Sequence, residues 1–263
     1  MELVFLGTGA GNGVPTFYCD CAVCAEARAE ERYCRTRSAV AVLGEQNYLI
    51  DTPPEISSQL LRENITRIDG LFLTHAHHDH SSGLGDLEIY AKFHRKDRLQ
   101  AMMSRETKEQ LELSHGSMMD WLDITVIEPG HAVSFSGVEY TCLQVSHSPG
   151  TVGYLIKHNN FKMAYISDSG PLPEHTMSVL QGIDCLALDA TFHGENWYPG
   201  QHLEVHQTIA IARELKVRKL FLTHLSMHYS EPITNEQLER KIAKYDGLVH
   251  LAYDGLRIKL ADC

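Results

Sequence analysis

No apolar run in the chain reaches the roughly 18 residues that a membrane span needs. Nothing basic precedes Leu3-Val4-Phe5-Leu6, and that run is too short for a secretory leader. The expectation is a cytoplasmic protein with no membrane partner. Basic charge is scarce: 23 Lys and Arg against 34 Asp and Glu leave a net charge of −11. A surface of that sign repels phosphate backbones, which argues against nucleic acid as a partner. It still admits a small anionic substrate held by a local positive site. A disulfide framework is missing too, because seven cysteines is an odd number and no leader points to an oxidising compartment. No Pro/Ser-rich linker or low-complexity stretch interrupts the 263 residues. One domain over 1–263 is expected, large enough to bury a core without disulfides. A homodimer is the default oligomer.

Short apolar runs recur along the chain, many of them β-branched or aromatic and ending at Gly, Asp, Ser or His. They read as strands at Leu3–Leu6, Ala39–Leu43, Tyr48–Ile50, Leu71–Leu73, Thr125–Ile127 and Val138–Val145. Further strands are expected at Gly153–Ile156, Met163–Ile166, Cys185–Leu188, Leu220–Leu222 and Val249–Tyr253. Helical character appears at Ser104–Leu113, Glu204–Leu215 and Thr234–Tyr245, the last with Thr234 and Gln237 spaced as a capping box. The class is mixed α/β.

Sixteen histidines are a heavy load for this length, and several cluster. His75, His77, Asp79 and His80 form H-x-H-x-D-H directly after the apolar Leu71-Phe72-Leu73. Imidazoles suit transition metals, and a carboxylate neutralises their charge. Alternate residues leaving a strand point together, so His75 and His77 are placed to share one ion, with Asp79 and His80 reaching a second. The string Leu-Phe-Leu-Thr-His at 71–75 recurs at 220–224. A second imidazole, His224, is therefore delivered at the end of a second buried strand.

Upstream, Cys19-Asp20-Cys21-Ala22-Val23-Cys24 offers three thiolates in a tight loop, one ligand short of a closed zinc tetrahedron. Cys34 is one candidate for the fourth. Cys142 and Cys185 lie in apolar runs and read as core. The loop Gly7-Thr8-Gly9-Ala10-Gly11-Asn12-Gly13 fits neither a dinucleotide fingerprint nor a P-loop and reads as a tight turn near the site. Asp51 and Asp189, each closing an apolar run, are candidates to orient ligand imidazoles. Arg28, Arg32, Arg35 and Arg37 make a local basic run that is a candidate contact for a substrate phosphate.

The histidine pattern resembles the metallo-β-lactamase superfamily. Val145-Ser146-His147, Ile166-Ser167-Asp168 and Thr223-His224 stand in the order that family supplies its later ligands. The resemblance implies a four-layer αββα sandwich. It assigns His75, His77 and His147 to one metal, Asp79, His80 and His224 to the other, and Asp168 as the bridge. Asp79 thereby counts among the catalytic residues. Gly7-Thr8-Gly9, the cysteine loop, Ser167-Asp168-Ser169-Gly170-Pro171 and Tyr253-Asp254-Gly255-Leu256 narrow the likeness to the cyclic phosphodiesterases of the carbon–phosphorus lyase pathway, the PhnP family. That family places a histidine three residues beyond its last catalytic histidine as the fourth zinc ligand. The position here is Met227, and His228 follows it. His228 is thus assigned with Cys19, Cys21 and Cys24 to a structural Zn2+ in a knuckle at about 17–37, with Cys34 as rival.

The implied chemistry is phosphodiester hydrolysis. Two divalent ions (Mn2+ favoured, Zn2+ or Fe2+ accepted by the same donors) would lower the pKa of a shared water. His202, ahead of a helix, resembles the family's extra histidine and would protonate the leaving oxygen, with His206 and then His193 as rivals. The implied substrate is 5-phosphoribosyl 1,2-cyclic phosphate, opened to ribose 1,5-bisphosphate during phosphonate catabolism. The PqqB-type proteins of cofactor biosynthesis share some of these features and imply a non-hydrolytic alternative. A thioesterase or other hydrolase on the same ligands is another.

Overall fold

Alternation along the strands decides the architecture. In β1 (Glu2–Gly7), Leu3 and Phe5 join one apolar cluster while Val4 and Leu6 join another. In β2 (Ala39–Leu43), Val40 and Val42 fall with the first pair, and Ala39 and Ala41 with the second. A strand with apolar side chains on both faces is one covered on both faces. The computed structural model describes residues 1–245 and 247–261. β1 and β2 continue into β3 (Tyr48–Ile50), β4 (Gly70–Phe72), β5 (Leu99–Met103) and β6 (Leu122–Val126) in one sheet. The second sheet holds β7 (Ala132–Phe135), β8 (Val138–Gln144), β9 (Val152–His158), β10 (Phe161–Ile166), β11 (Cys185–Asp189), β12 (Lys219–Thr223) and β13 (Val249–Leu251). A final strand, β14 (Arg257–Lys259), returns to the first sheet and pairs antiparallel with β1.

The same alternation marks the second sheet. Met163 and Tyr165 of β10, Ala187 of β11 and Phe221 of β12 face the first sheet, while Ala164, Leu186, Leu188 and Leu222 face outward. The inter-sheet core is rich in aromatics, with Phe72 stacked on Tyr140 at a ring separation of 4.4 Å. Helices cover both outer faces. On the second sheet lie α1 (Ala22–Ala29), through Val23 and Ala27, α7 (Val205–Glu214), through Ile209 and Ala212, and α8 (Asn235–Ile242), through Leu238 and Ile242; α6 (Glu174–Val179) flanks them with Met177 and Val179. On the first sheet lie α2 (Ile56–Arg62), α4 (Leu84–Ile89) and α5 (Arg105–His115), through Ile56, Leu84, Leu87 and Leu111. The order of layers is αββα, as expected. None of the described helices is long and apolar enough to cross a membrane.

Local rules fix the helix ends. Ser104 accepts from Thr107 N and starts α5, and Thr234 and Gln237 complete the capping box of α8. The strand expected at Thr125–Ile127 begins three residues earlier, at Leu122, where it pairs in parallel with β5. The run expected to extend to Tyr253 ends at Leu251. β3 to β6 run parallel, as do β10 to β13. Their carboxyl ends open on one edge of the sandwich, where parallel α/β sheets present their sites.

Candidate metal centre

Five of the strands ending at this edge deliver a chemically active side chain: β3 leads into Asp51, β4 into Thr74-His75, β10 into Asp168 and β12 into His224, and β11 closes on Asp189. The short helix α3 (His78–Ser81), with His77 as its N-cap, turns Asp79 and His80 back toward the same place. His147 comes from the loop between β8 and β9. Asp51 and His224 have φ of +67° and +54°, a left-handed conformation that non-glycine residues adopt rarely and that clusters at functional sites.

The imidazoles meet in two groups. His75 Nε2 lies 2.9 Å and His147 Nε2 3.2 Å from His77 Nδ1. His80 Nε2 lies 3.1 Å from Asp168 Oδ2 and 3.3 Å from Asp79 Oδ2. His224 Nε2 lies 3.2 Å from Asp168 Oδ1 and 3.7 Å from Asp79 Oδ2. Within each of the groups His75–His77–His147 and Asp79–His80–His224, the donor atoms lie within 4.8 Å of one another. Asp168 approaches both, reaching His80 and His224 on one side and His147 at 4.0 Å on the other. The expected ligands are thus brought together.

Four of the five imidazoles, His75, His80, His147 and His224, commit their other ring nitrogen elsewhere, which fixes what faces inward. His80 Nδ1 donates to Asp51 Oδ2 at 2.8 Å. The Thr74 hydroxyl donates to the Asp51 carboxylate and accepts from His75 Nδ1, each at 2.9 Å. His147 Nδ1 donates to the Gln201 carbonyl at 3.0 Å. His224 Nδ1 meets Thr191 Oγ1 at 2.8 Å, and that hydroxyl donates to Asp189 Oδ1 at 2.8 Å. Carboxylate-oriented imidazoles are the arrangement that holds metal-ligating histidines in the correct tautomer. The two halves mirror one another: Asp51 acts through Thr74, and Asp189 through Thr191.

Whether a divalent cation fits is decided by what the inward atoms lack. His80 Nε2, His224 Nε2 and Asp168 Oδ2 are buried without a hydrogen-bond partner. Buried polar atoms are seldom left so. A cation among imidazole lone pairs and carboxylates satisfies all three, so the residues fit. Electrostatics divides the donors: burial would lower His80, but Asp168, Asp79 and Asp51 hold its imidazole well above the usual range, and a bound cation would take the place of that proton. Burial works against the Asp168 charge, but His224, His80, His75 and His147 hold its carboxyl well below the usual range. Burial and neighbouring His80 keep His75 neutral, and burial likewise lowers His77 and His147. A neutral imidazole is the form that ligates.

His202 adjoins the centre with a different environment. Its Nδ1 donates to Asp189 Oδ2 at 2.8 Å, and its ring stacks on that of His224 at 5.4 Å. Burial alone would lower its pKa, but Asp189 pushes it up to about 9. The ring lines a cavity of about 450 Å³ shared with His77, Asp79, His147, Asp168 and His224. The rivals lie outside it. The first turn of α7 directs His206 away from the strand ends, where it is mostly exposed and pairs with Glu204, and His193, in the segment after β11, bonds the Glu231 carbonyl and Lys241 instead.

The cysteine loop forms a second cluster. Cys19, Cys21, Cys24 and His228 bring four ligand atoms within 4.8 Å of one another. Cys24 Sγ stands 3.8 Å from His228 Nδ1, close to the ~3.6 Å edge of a zinc tetrahedron. Cys34, the rival fourth ligand, instead points its thiol at the Ala27 carbonyl. The arginine run does not converge on the cavity. Arg28 bonds the Thr16 and Cys19 carbonyls, and Arg32 pairs with Glu30. Arg35 is buried against Thr8, Ala252, Asn235 and Met227, and Arg37 is held by Gly11 O and Glu55. The glycine loop does border the site: a Cβ at Gly11 would stand 3.1 Å from Asp79 Oδ2. Sequence reasoning missed Thr74, Thr191 and Gln201, and also Trp197, Tyr198 and Tyr229 at the cavity mouth. The Thr-His pair inside the repeated Leu-Phe-Leu-Thr-His string was the one available signal, and for Thr74 alone.

Comparison with known proteins agrees with this fold. The model of the beta-lactamase superfamily domain matches residues 46–225. The crystal structure of a new diphosphatase from the PhnP family superposes with a TM-score of 0.86 at 29% identity, over 98% of this chain and 96% of that one. Coenzyme PQQ synthesis protein B of Methylobacterium nodulans is 26% identical over 99% of this chain and 100% of its own length. An octanoyltransferase of Porphyromonas gingivalis is 26% identical over 97% of this chain, which spans 51% of that protein.

Proposed function

The chain belongs to the beta-lactamase superfamily, and within it we propose a metal-dependent hydrolase of small phosphodiesters or cyclic phosphates. One observation carries the reading. Six metal-type donors gather around Asp168, second hydrogen bonds turn the His75, His80, His147 and His224 rings inward, and His202, tied to Asp189, stands beside them. The likeness to a diphosphatase supports phosphorus rather than an acyl carbon as the reacting centre. His75, His77 and His147 would hold one divalent ion and Asp79, His80 and His224 the other, with Asp168 between. Mn2+ is our choice there and Zn2+ in the cysteine knuckle. Bound there, the ions supply Lewis acidity and a water of lowered pKa.

The chain's own residues do the rest. Asp51 and Thr74 orient His75 and His80, and Asp189 and Thr191 orient His202 and His224. Asp189 keeps His202 protonated at neutral pH, with Nδ1 tied down and Nε2 free to give its proton to the leaving oxygen. An alkoxide needs that proton, whereas a thiolate leaves without it, so His202 supports a phosphoester over a thioester. Of small substrates, the family likeness implies 5-phosphoribosyl 1,2-cyclic phosphate.

The test is hydrolysis of bis(p-nitrophenyl) phosphate by metal-stripped protein before and after Mn2+ is added. Turnover restored by metal is expected. No turnover with a metal-loaded site would overturn the reading. It would favour the PqqB-type alternative, which the full-length match to that protein supports.

A further inference from the structure

Few groups in the metal-site cavity are free to meet a substrate's oxygen atoms. Among the described residues lining it there is no lysine or arginine. Thr191 commits its hydroxyl to Asp189 Oδ1, and Ser226 commits its own to the Thr191 carbonyl, each at 2.8 Å. The mouth is an aromatic rim. Trp197 packs on Phe192 and Tyr229 at ring separations of 5.8 and 5.6 Å, and Tyr198 on Phe192 at 6.4 Å. The Tyr229 hydroxyl is shared with that of Tyr18 at 3.4 Å, and Tyr18 carries Phe17 edge-on at 5.0 Å. Gln201 lines the cavity as well, and its side-chain amide has no hydrogen-bond partner among the described residues.

Gln201 differs from the rim residues in being bonded through its own main chain to a proposed metal ligand. Its carbonyl accepts from His147 Nδ1 at 3.0 Å, its N–H donates to Tyr198 O at 2.9 Å, and His202 follows it directly. Gly170, in the turn after Asp168, buttresses the same peptide. A Cβ there would stand 2.5 Å from Gly200 O and 2.9 Å from Gln201 N, so a larger residue would push the peptide away. The Gly170 N–H in turn donates to Ser146 O at 2.6 Å, beside His147. Gln201 is therefore held where the segments carrying His147, Asp168 and His202 meet. A phosphorus atom close to Asp168 and His147, with its leaving oxygen toward His202, lies in the same space. An amide without a partner can turn either end inward, and an anionic oxygen selects the NH2.

We infer that the Gln201 side-chain NH2 donates to a non-bridging oxygen of the substrate's phosphoryl group, which makes Gln201 a further catalytic residue. The inference rests on the phosphodiester hydrolase reading for its chemistry. Water adds across one P–O bond: its oxygen bonds to phosphorus, and the departing ester oxygen takes a proton. The amide exchanges no proton and forms no bond. It is a donor aimed at oxygens that carry charge as the P–O bond breaks, and such a donor lowers the barrier. Being neutral, it suits the single charge of a diester in a cavity without lysine or arginine.

Two measurements on the metal-loaded protein test it. Gln201→Leu removes the amide and keeps the carbonyl that holds His147. On methyl p-nitrophenyl phosphate, whose leaving group needs no proton from His202, it should lower kcat by about tenfold to a hundredfold, the scale of one hydrogen bond to a charged group. Metal content by elemental analysis should be unchanged. The Rp and Sp phosphorothioates of that ester each place sulfur, a weak acceptor, at one non-bridging position. For one of the two isomers the cost of Gln201→Leu should shrink to within about twofold. The second measurement reads binding alone. Orthovanadate, which takes up the five-coordinate shape of a transferring phosphoryl group, should bind Gln201→Leu about tenfold more weakly by calorimetry. Unchanged vanadate affinity, an equal cost on the diester and both thio isomers, or loss of metal from Gln201→Leu would overturn the inference. Weaker vanadate binding in a protein that hydrolyses none of these esters would sustain the contact and sink the hydrolase reading. Turnover that Gln201→Leu leaves intact would do the reverse.

Discussion

Replacing Asp51 by Asn should weaken metal binding without touching a proposed metal ligand. The Asp51 carboxylate is fully buried and accepts from Thr74 N at 2.8 Å, from the Thr74 hydroxyl at 2.9 Å and from His80 Nδ1 at 2.8 Å. An asparagine retains one acceptor oxygen, enough for the Thr74 amide. Its NH2 then faces a ring N–H. His80 must either lose that bond or change tautomer, and the second choice turns an N–H toward the metal. His75 is affected as well, because the Thr74 hydroxyl that orients it loses its charged acceptor. A hydrogen bond to a charged group contributes about 1.5–3 kcal/mol. Loss of one such orienting contact corresponds to about tenfold to a hundredfold in metal affinity. Titration with a competing chelator measures this directly, with circular dichroism as a check on folding. Affinity within about twofold of the unsubstituted protein would refute the claim that Asp51 orients the ligands.

Other consequences follow from the same contacts. His202→Ala should reduce kcat about 10²- to 10⁴-fold on an alkyl phosphodiester, and much less on bis(p-nitrophenyl) phosphate, whose leaving group needs no proton. Paired assays on the two esters check this. Asp189 raises the His202 pKa to about 9, and an acid works only while protonated. The rate should therefore fall as pH rises through that value. At saturating metal, Asp189→Asn should shift this alkaline limb to lower pH, toward the ordinary imidazole value of about 6.5. A pH–rate profile in which the limb does not move would remove His202 from the role. Cys24→Ala should release about one zinc per chain and lower Tm, because the cluster ties the 19–24 loop to His228. Metal analysis and a thermal melt read both effects.

Much of this site was legible because its chemistry is compressed in sequence. His75, His77, Asp79 and His80 span one strand end and one helical turn, so the local spacing already constrains the geometry. The repeated Leu-Phe-Leu-Thr-His string pointed to His224 for the same reason. Thr74 and Thr191 were not legible, since a threonine near a histidine is unremarkable until a buried carboxylate is seen behind it. The aromatic rim was hidden because residues 17–18, 197–198 and 229 meet only through the fold. Among the strands, β5 reads Leu-Gln-Ala-Met-Met, a helix-forming composition, and becomes a strand by its place between β4 and β6. β14, with Arg257 and Lys259 exposed on a sheet edge, carries almost no apolar signal.

Metal content tests the central claim most directly. Protein loaded with Mn2+ and Zn2+ and freed of excess should carry about three ions per chain by elemental analysis, two at the strand ends and one in the knuckle. Asp168→Ala should retain about one, the knuckle zinc, because the removed carboxylate is the one common to both groups of ligands. A wild-type protein that holds only the knuckle ion, or an Asp168→Ala variant that keeps all three, would contradict the account.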